Sequence, residues 1–122
     1  MLAGKRAVRV GDKIKREIAL LILERVQDPR VGGVTVTDIR LSDDLKAARV
    51  YYSVMGDRAR VERAQAGLDS ARSFMKRQIG SRMKLRYVPE ITFVHDPSLE
   101  TGSQMEAVFR KLRDSESNDT SE

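Results

Sequence analysis

Apolar residues recur every three or four positions in two long stretches of the chain. The first stretch, residues 6–27, predicts an amphipathic helix. Asp28 and Pro29 should end this helix, because proline cannot donate the next helical hydrogen bond. The second stretch, residues 59–79, predicts another long helix. Gly80 should interrupt that helix, and residues 81–85 could add one further turn.

Between the two helices, apolar and polar residues alternate with the period of a β-strand. Residues 34–42 and 46–55 show this alternation and are joined by a short polar turn, which predicts an antiparallel hairpin. The apolar face of the first strand should shift near Asp38. A third strand is predicted at residues 91–95. A last short helix is predicted on Met105, Val108, Phe109 and Leu112.

This order of elements predicts an α+β fold with two layers, in which helices pack on one face of a three-stranded sheet. The 122 residues suit a single domain, which we place at residues 1–113. Residues 114–122 hold four acids and no Lys or Arg, so we expect a disordered acidic tail. The chain has no cysteine and no apolar run longer than six residues. We therefore expect a cytoplasmic protein without membrane association.

Positive charge is concentrated in two parts of the sequence. The net charge is +5, and without the acidic tail the first 113 residues carry +9. Residues 1–16 hold six cations and one acid, and residues 70–89 hold six cations and no acid. Two such clusters favour a polyanion as the partner. A solvated face that only keeps the protein soluble is an equally weighted alternative.

The residues that commonly carry catalysis are few. His95 is the only histidine, and neighbouring residues of a strand point to opposite faces, so His95 and Asp96 are poorly placed to act as a pair. Asp38, Asp43 and Asp44 could hold a hard cation, but Asp43 and Asp44 fit turn chemistry better. The chain has neither a nucleophile elbow nor a phosphate-binding loop. We expect no enzymatic activity, no metal site and no cofactor.

The second basic cluster lies along the second helix and beyond it. Arg72 and Lys76 are four residues apart and should be neighbours beside the apolar stripe. Arg77 lies further round the helix, and the cluster continues past the predicted bend with Arg82, Lys84 and Arg86. A bent helical segment with these charges could follow a nucleic-acid backbone at several points.

Aromatic platforms for base stacking are scarce. Tyr51 and Tyr52 are consecutive on a strand, so one should be buried and the other exposed. Tyr87 lies beside Arg86 and could stack on a base. We favour a packed ring with only its hydroxyl exposed. Recognition of structured RNA through its backbone and shape therefore fits better than recognition of a single strand.

The chain resembles the bacterial ribosome-binding factor A family over residues 6–113. The most specific words are MKLRYVPEITF at residues 83–93 and DPSL at residues 96–99. The other matching words, in order, are RV at 9–10, KREIA at 15–19, DPR at 28–30, SDDL at 42–45 and ARVYYSV at 48–54.

The resemblance implies a type II KH-like domain with the order helix, strand, strand, helix, kink, helix, strand. In this family an Ala-x-Gly kink joins two helices. The matching residues are Ala71, Arg72 and Ser73, so Ser73 replaces the glycine. The resemblance thus places the bend at residues 71–73, whereas the periodicity places it at Gly80.

The function implied by the resemblance is that of a non-catalytic assembly factor. Such a factor binds the free 30S subunit through 16S ribosomal RNA and promotes late maturation and rRNA processing, notably in the cold. A ribosome-associated GTPase is the implied functional partner, and we expect a monomer. The implied RNA-binding residues are Arg72, Lys76, Arg77, Arg82, Lys84, Arg86, Arg6 and Arg9.

Three alternatives stay open. Arg9 and Arg49 would each fit an ion pair at the edge of the domain as well as a phosphate contact. The basic surface could instead meet an acidic protein. The chain could also be a general nucleic-acid binder without preference for the ribosome.

Overall fold

The protein is described from a computed structural model, in which residues 4–97 are placed well enough to analyse. Within them the chain forms two helices, one short 3-10 turn and three strands. In chain order these are α1 (Lys5–Glu24), the 3-10 turn (Pro29–Val31), β1 (Thr35–Leu41), β2 (Ala47–Ser53), α2 (Arg58–Met83) and β3 (Glu90–His95). The predicted last helix and the acidic tail lie outside the described residues.

The three strands form one sheet in the order β1-β2-β3. β1 and β2 are antiparallel, as predicted, and β3 pairs with β2 in parallel. A parallel neighbour requires a crossover connection, which α2 supplies. The predicted α+β fold is confirmed.

Both helices pack on one face of the sheet. Alternate strand residues, among them Val50, Tyr52 and Phe93, are buried there, whereas Arg40 and Arg49 are exposed on the opposite face. Each fully buried large apolar side chain stabilises the fold by about 1.5–3 kcal/mol. The helix residues that complete the core are Ala7, Ile14, Ile18 and Leu21 of α1 and Ala64, Leu68, Met75 and Ile79 of α2.

The first strand contains an irregularity where the sequence predicts one. The register of β1 against β2 shifts between Val36 and Asp38. A β-bulge places one extra residue on one strand and turns the following side chains to the other face. The predicted shift near Asp38 is therefore confirmed.

The turn between β1 and β2 is held by its own side chains. The Ser42 hydroxyl lies 2.6 Å from Oδ1 of Asp44, which also accepts the Lys46 N–H at 3.0 Å. Asp43 reaches outside the turn and accepts the N–H of Gly4 at 3.0 Å. The predicted turn chemistry is confirmed for Asp44, whereas Asp43 fixes the start of α1 against the turn instead.

α1 ends earlier than predicted. Its last residue is Glu24, and Arg25 closes the helix by donating its N–H to the carbonyl of Leu21. Asp28 and Pro29 instead begin the 3-10 turn, in which the Asp28 side chain accepts the N–H of Arg30 at 2.9 Å. Proline suits the first position of such a turn because no N–H is needed there.

Gly80 does not interrupt α2, so the break predicted there is wrong. One helix of 26 residues runs through Ala71, Ser73 and Gly80 to Met83 and is capped by Lys84. A Cβ atom on Gly80 would lie 2.8 Å from Cγ2 of Val88. The glycine therefore lets the loop after the helix pack closely against it. Residues 71–73 do not divide the helix either, and a bend within the continuous helix stays a prediction.

Candidate nucleic-acid interface

Arg82 apart, four cations lie exposed along the second half of α2 and the loop after it. Arg77 lies in α2, and Lys84 is the residue that caps the C-terminal end of this helix, seven positions further along the chain. Within residues 4–97 none of the four is in an ion pair. We call Arg72, Arg77, Lys84 and Arg86 the α2 basic surface.

Lys76 and Arg82, two further predicted RNA contacts, are directed towards carboxylates. The Lys76 ammonium donates to Glu90 of β3. This hydrogen bond and the charges of Lys76 and Arg72 lower the pKa of Glu90. Arg82 lies 3.1 Å from the carboxylate of Glu17 on α1. Residues 70–89 contain no acid in sequence, but the fold brings two acids to them, so these two cations tie α1 and β3 to α2.

Arg6 and Arg9 lie exposed in the first turns of α1. Arg6 lines a cleft together with Lys46 and Arg86, so one member of the first cluster meets one member of the second. Arg9 does not line this cleft. Neither Arg9 nor Arg49 is in an ion pair within the described part of the chain, and Arg49 lies opposite Arg40 on the sheet face away from the helices.

Lys46 is a cation of this cleft that the sequence does not single out. It lies in neither basic cluster and enters the cleft because of the β1–β2 turn. The hydrogen bond from Gly4 to Asp43 holds that turn against the start of α1. The only local signal was the turn chemistry of Asp43 and Asp44, which does not reveal what the turn lies against.

The prediction that the Tyr87 ring is packed, with only its hydroxyl exposed, is wrong. The side chain is 79 % exposed, and the guanidinium of Arg86 lies 5.4 Å from the centroid of its ring. Val88, the next residue, fills the space above Gly80, which leaves the tyrosine ring outside. Tyr52 is fully buried, as predicted for one of the two tyrosines, whereas Tyr51, on the other face of the sheet, is half-buried and not exposed.

The end of β3 carries contacts to neighbouring strands. The rings of His95 and Tyr52 lie 5.6 Å apart, and Asp96 accepts a hydrogen bond from the Thr37 hydroxyl at 2.9 Å. In residues 4–97, no group of three or more His, Cys, Asp or Glu side chains is placed to hold a metal ion. No helix of that part of the chain is long and apolar enough to cross a membrane.

Sequence comparison places this chain beside proteins of one family. The family model for ribosome-binding factor A matches residues 6–109. Proteins named Ribosome-binding factor A match nearly the whole chain. The one from Halothermothrix orenii is 40 % identical over 118 residues, which cover 97 % of each chain. The one from Latilactobacillus sakei is 46 % identical over 112 residues, which cover 91 % of this chain and 95 % of the relative.

Comparison with solved structures gives the same family. The crystal structure of ribosome-binding factor A from Thermus thermophilus matches with a TM-score of 0.66 and 26 % identity, over 73 % of this chain and 93 % of that one. A homology model of the Thermus thermophilus protein, fitted into a cryo-EM map of a 30S–RbfA complex, matches with a TM-score of 0.62, 26 % identity and the same coverage. These structures have a KH-like fold, so the predicted KH-like fold is confirmed.

Proposed function

The chain belongs to the ribosome-binding factor A family, and from this premise we propose that it binds the free 30S ribosomal subunit through 16S ribosomal RNA. It promotes late maturation of the subunit and rRNA processing, including in the cold, without catalysing a reaction. It acts in the cytoplasm as a monomer and in functional connection with a ribosome-associated GTPase.

The α2 basic surface is the observation that carries this proposal. Its cations are exposed and, within residues 4–97, free of ion pairs, so no carboxylate has to be displaced before they meet phosphate. Arginine grips phosphate through a planar fork and lysine acts as a point charge. Phosphates spaced along an RNA backbone suit a row of cations on a helix better than a single anionic ligand does.

Lys76 and Arg82 contribute in a different way from the other predicted contacts. Each already has a carboxylate partner, so a phosphate would have to compete for it. We assign them mainly to holding α2 against its neighbours. Arg6 and Arg86 extend the RNA-binding surface across the cleft to α1.

The test is sedimentation of the purified protein with purified 30S subunits. We expect the parent protein to travel with the subunits at low salt and to be released at high salt. The double variant Arg77→Glu with Lys84→Glu should bind at least about tenfold more weakly, because two phosphate contacts become repulsive.

Arg58→Glu with Arg63→Glu is the matched control. It changes the net charge equally, on the first turns of the same helix, roughly 20–40 Å from the tested pair. Its binding should stay close to that of the parent. Equal weakening by both double variants, or parent protein left unbound at low salt, would contradict the proposal. Bulk duplex DNA that competes as well as unlabelled subunits would favour a general nucleic-acid binder.

A further inference from the structure

Three segments that are distant in sequence enclose a cleft of about 570 Å³ at one end of the molecule. This volume falls within the range of ligand pockets, about 300–1,000 Å³. The start of α1, the β1–β2 turn and the loop between α2 and β3 form its walls. The lining residues are Arg6, Asp44, Leu45, Lys46, Leu85, Arg86, Tyr87 and Val88.

Tyr87 gives the cleft a surface on which a flat ring could stack. It is the only aromatic side chain classed as exposed in residues 4–97, and its ring is not used by the core. Arg86 lies over the ring, which adds a second planar group at the same place. Stacking on aromatic side chains and on arginine is the usual way in which proteins hold an unpaired base.

The charged side chains of the cleft attract phosphate at some positions and repel it at another, where a neutral base can still bind. Arg6, Lys46 and Arg86 supply positive charge. Asp44 also lines the cleft, and hydrogen bonds from the Ser42 hydroxyl and then from the Lys46 N–H lower its pKa. Asp44 is therefore ionised at neutral pH and opposes a phosphate beside it. A neutral base meets no such repulsion.

We propose that this cleft receives one unpaired nucleotide of the bound RNA. Its base stacks on Tyr87 between the apolar side chains of Leu85 and Val88, and its flanking phosphates lie on Arg6 and Arg86. The inference rests on the proposed function, since it assumes that RNA reaches this end of the molecule. The inference adds a requirement on the bound RNA that positive charge alone does not impose. The RNA must have an unstacked nucleotide next to a paired stem.

The experiment uses two fluorescein-labelled RNA hairpins that differ by one bulged adenosine. Binding to the full-length protein is followed by anisotropy at several salt concentrations. The parent should bind the bulged hairpin about tenfold more tightly than the paired one. Tyr87→Ala should remove this preference without changing the salt slope, whereas Tyr87→Phe should keep it. Arg6→Ala should lower the log–log salt slope by about 0.7.

Met55→Ala is the matched control, because Met55 is a 75 % exposed apolar residue just beyond the other end of β2. It should leave the preference intact. Equal binding of both hairpins by the parent, or a preference that survives in Tyr87→Ala, would overturn the inference. If the parent protein binds neither hairpin, the affinity of Tyr87→Ala for 30S subunits is compared with that of the parent. Equal affinities would then overturn the inference. The double variant Arg77→Glu with Lys84→Glu tests 30S binding by the α2 basic surface and does not involve Tyr87. Failure of the cleft assignment is therefore distinguishable from failure of the proposed function.

Discussion

Lys84 occupies a backbone conformation that normally belongs to glycine. Its φ angle is 52°, in the left-handed region, at the residue that closes α2. A residue with a Cβ atom is less stable there by about 1–2 kcal/mol. Lys84 is also an exposed member of the α2 basic surface. Strain is often retained at functional sites, and here it accompanies a positive charge that glycine could not supply.

Lys84→Gly should therefore separate stability from binding. The free energy of unfolding should rise by about 0.5–1 kcal/mol, because relief of left-handed strain exceeds the greater chain entropy of glycine. Binding to 30S subunits should weaken, and its log–log salt slope should fall by about 0.7–0.9. Urea unfolding and sedimentation measure the two effects. Lys84→Arg keeps both strain and charge and should change neither, and a less stable glycine variant would refute this explanation.

At the scale of elements, the contact between α2 and the loop after it decides the shape of the basic end. Gly80 and Val88 approach so closely that a Cβ atom would need Val88 to move. The same contact leaves Tyr87 in solvent beside Arg86. The glycine is thus a packing position inside a helix rather than its end.

Gly80→Ala should lower the free energy of unfolding by about 1 kcal/mol. The gain in helix propensity is about 1 kcal/mol, but overpacking against Val88 costs about 1–3 kcal/mol. In a Val88→Ala background the clash is gone, and the same substitution should become stabilising by up to about 1 kcal/mol. Thermal or urea unfolding of the four proteins completes the cycle. An effect of Gly80→Ala with the same sign in both backgrounds would show that Val88 is not the cause.

At the scale of the whole molecule, ionised carboxylates of residues 4–97 contribute to stability at three separate places. The pKa of Asp28 is lowered by hydrogen bonds from Arg30, that of Asp44 by Ser42 and the Lys46 N–H, and that of Glu90 by Lys76. A carboxylate with a lowered pKa in the folded state stabilises the fold above its unfolded pKa. This contribution is lost as the pH falls through the folded pKa.

The free energy of unfolding should therefore decrease as the pH falls from about 5 through the ordinary pKa values, which are 4.5 for Glu90 and 3.8 for the aspartates, towards the lower pKa values of the folded state. Glu90→Gln removes one of these contributions. The variant should be less stable than the parent at neutral pH, and the difference should shrink once Glu90 is protonated in the parent. Urea unfolding across this pH range measures both. A difference that is the same at pH 7 and at pH 3 would contradict the assignment.

Local patterns were sufficient for most of the fold. The strand alternation identified β1, β2 and β3 to within one or two residues, and the mixed pattern near Asp38 identified the register shift. The sequence failed where a residue's role depends on a distant contact. A helical period does not show the contact between Gly80 and Val88, so the break predicted at Gly80 is wrong. The packed position predicted for the Tyr87 ring is wrong for the same reason.

The types and order of the elements, the face that each element buries and the excess of positive charge all follow from the amino-acid sequence alone. These are properties of neighbouring residues and of composition, and they act before the chain is compact. Which cations form ion pairs depends on the packing of the elements, since Glu17 lies 65 residues from its partner Arg82. The tertiary structure also decides that Arg6, Lys46 and Arg86 share one cleft with Tyr87. Such contacts depend on how the elements pack, because only the folded core brings side chains that are far apart in sequence within contact distance.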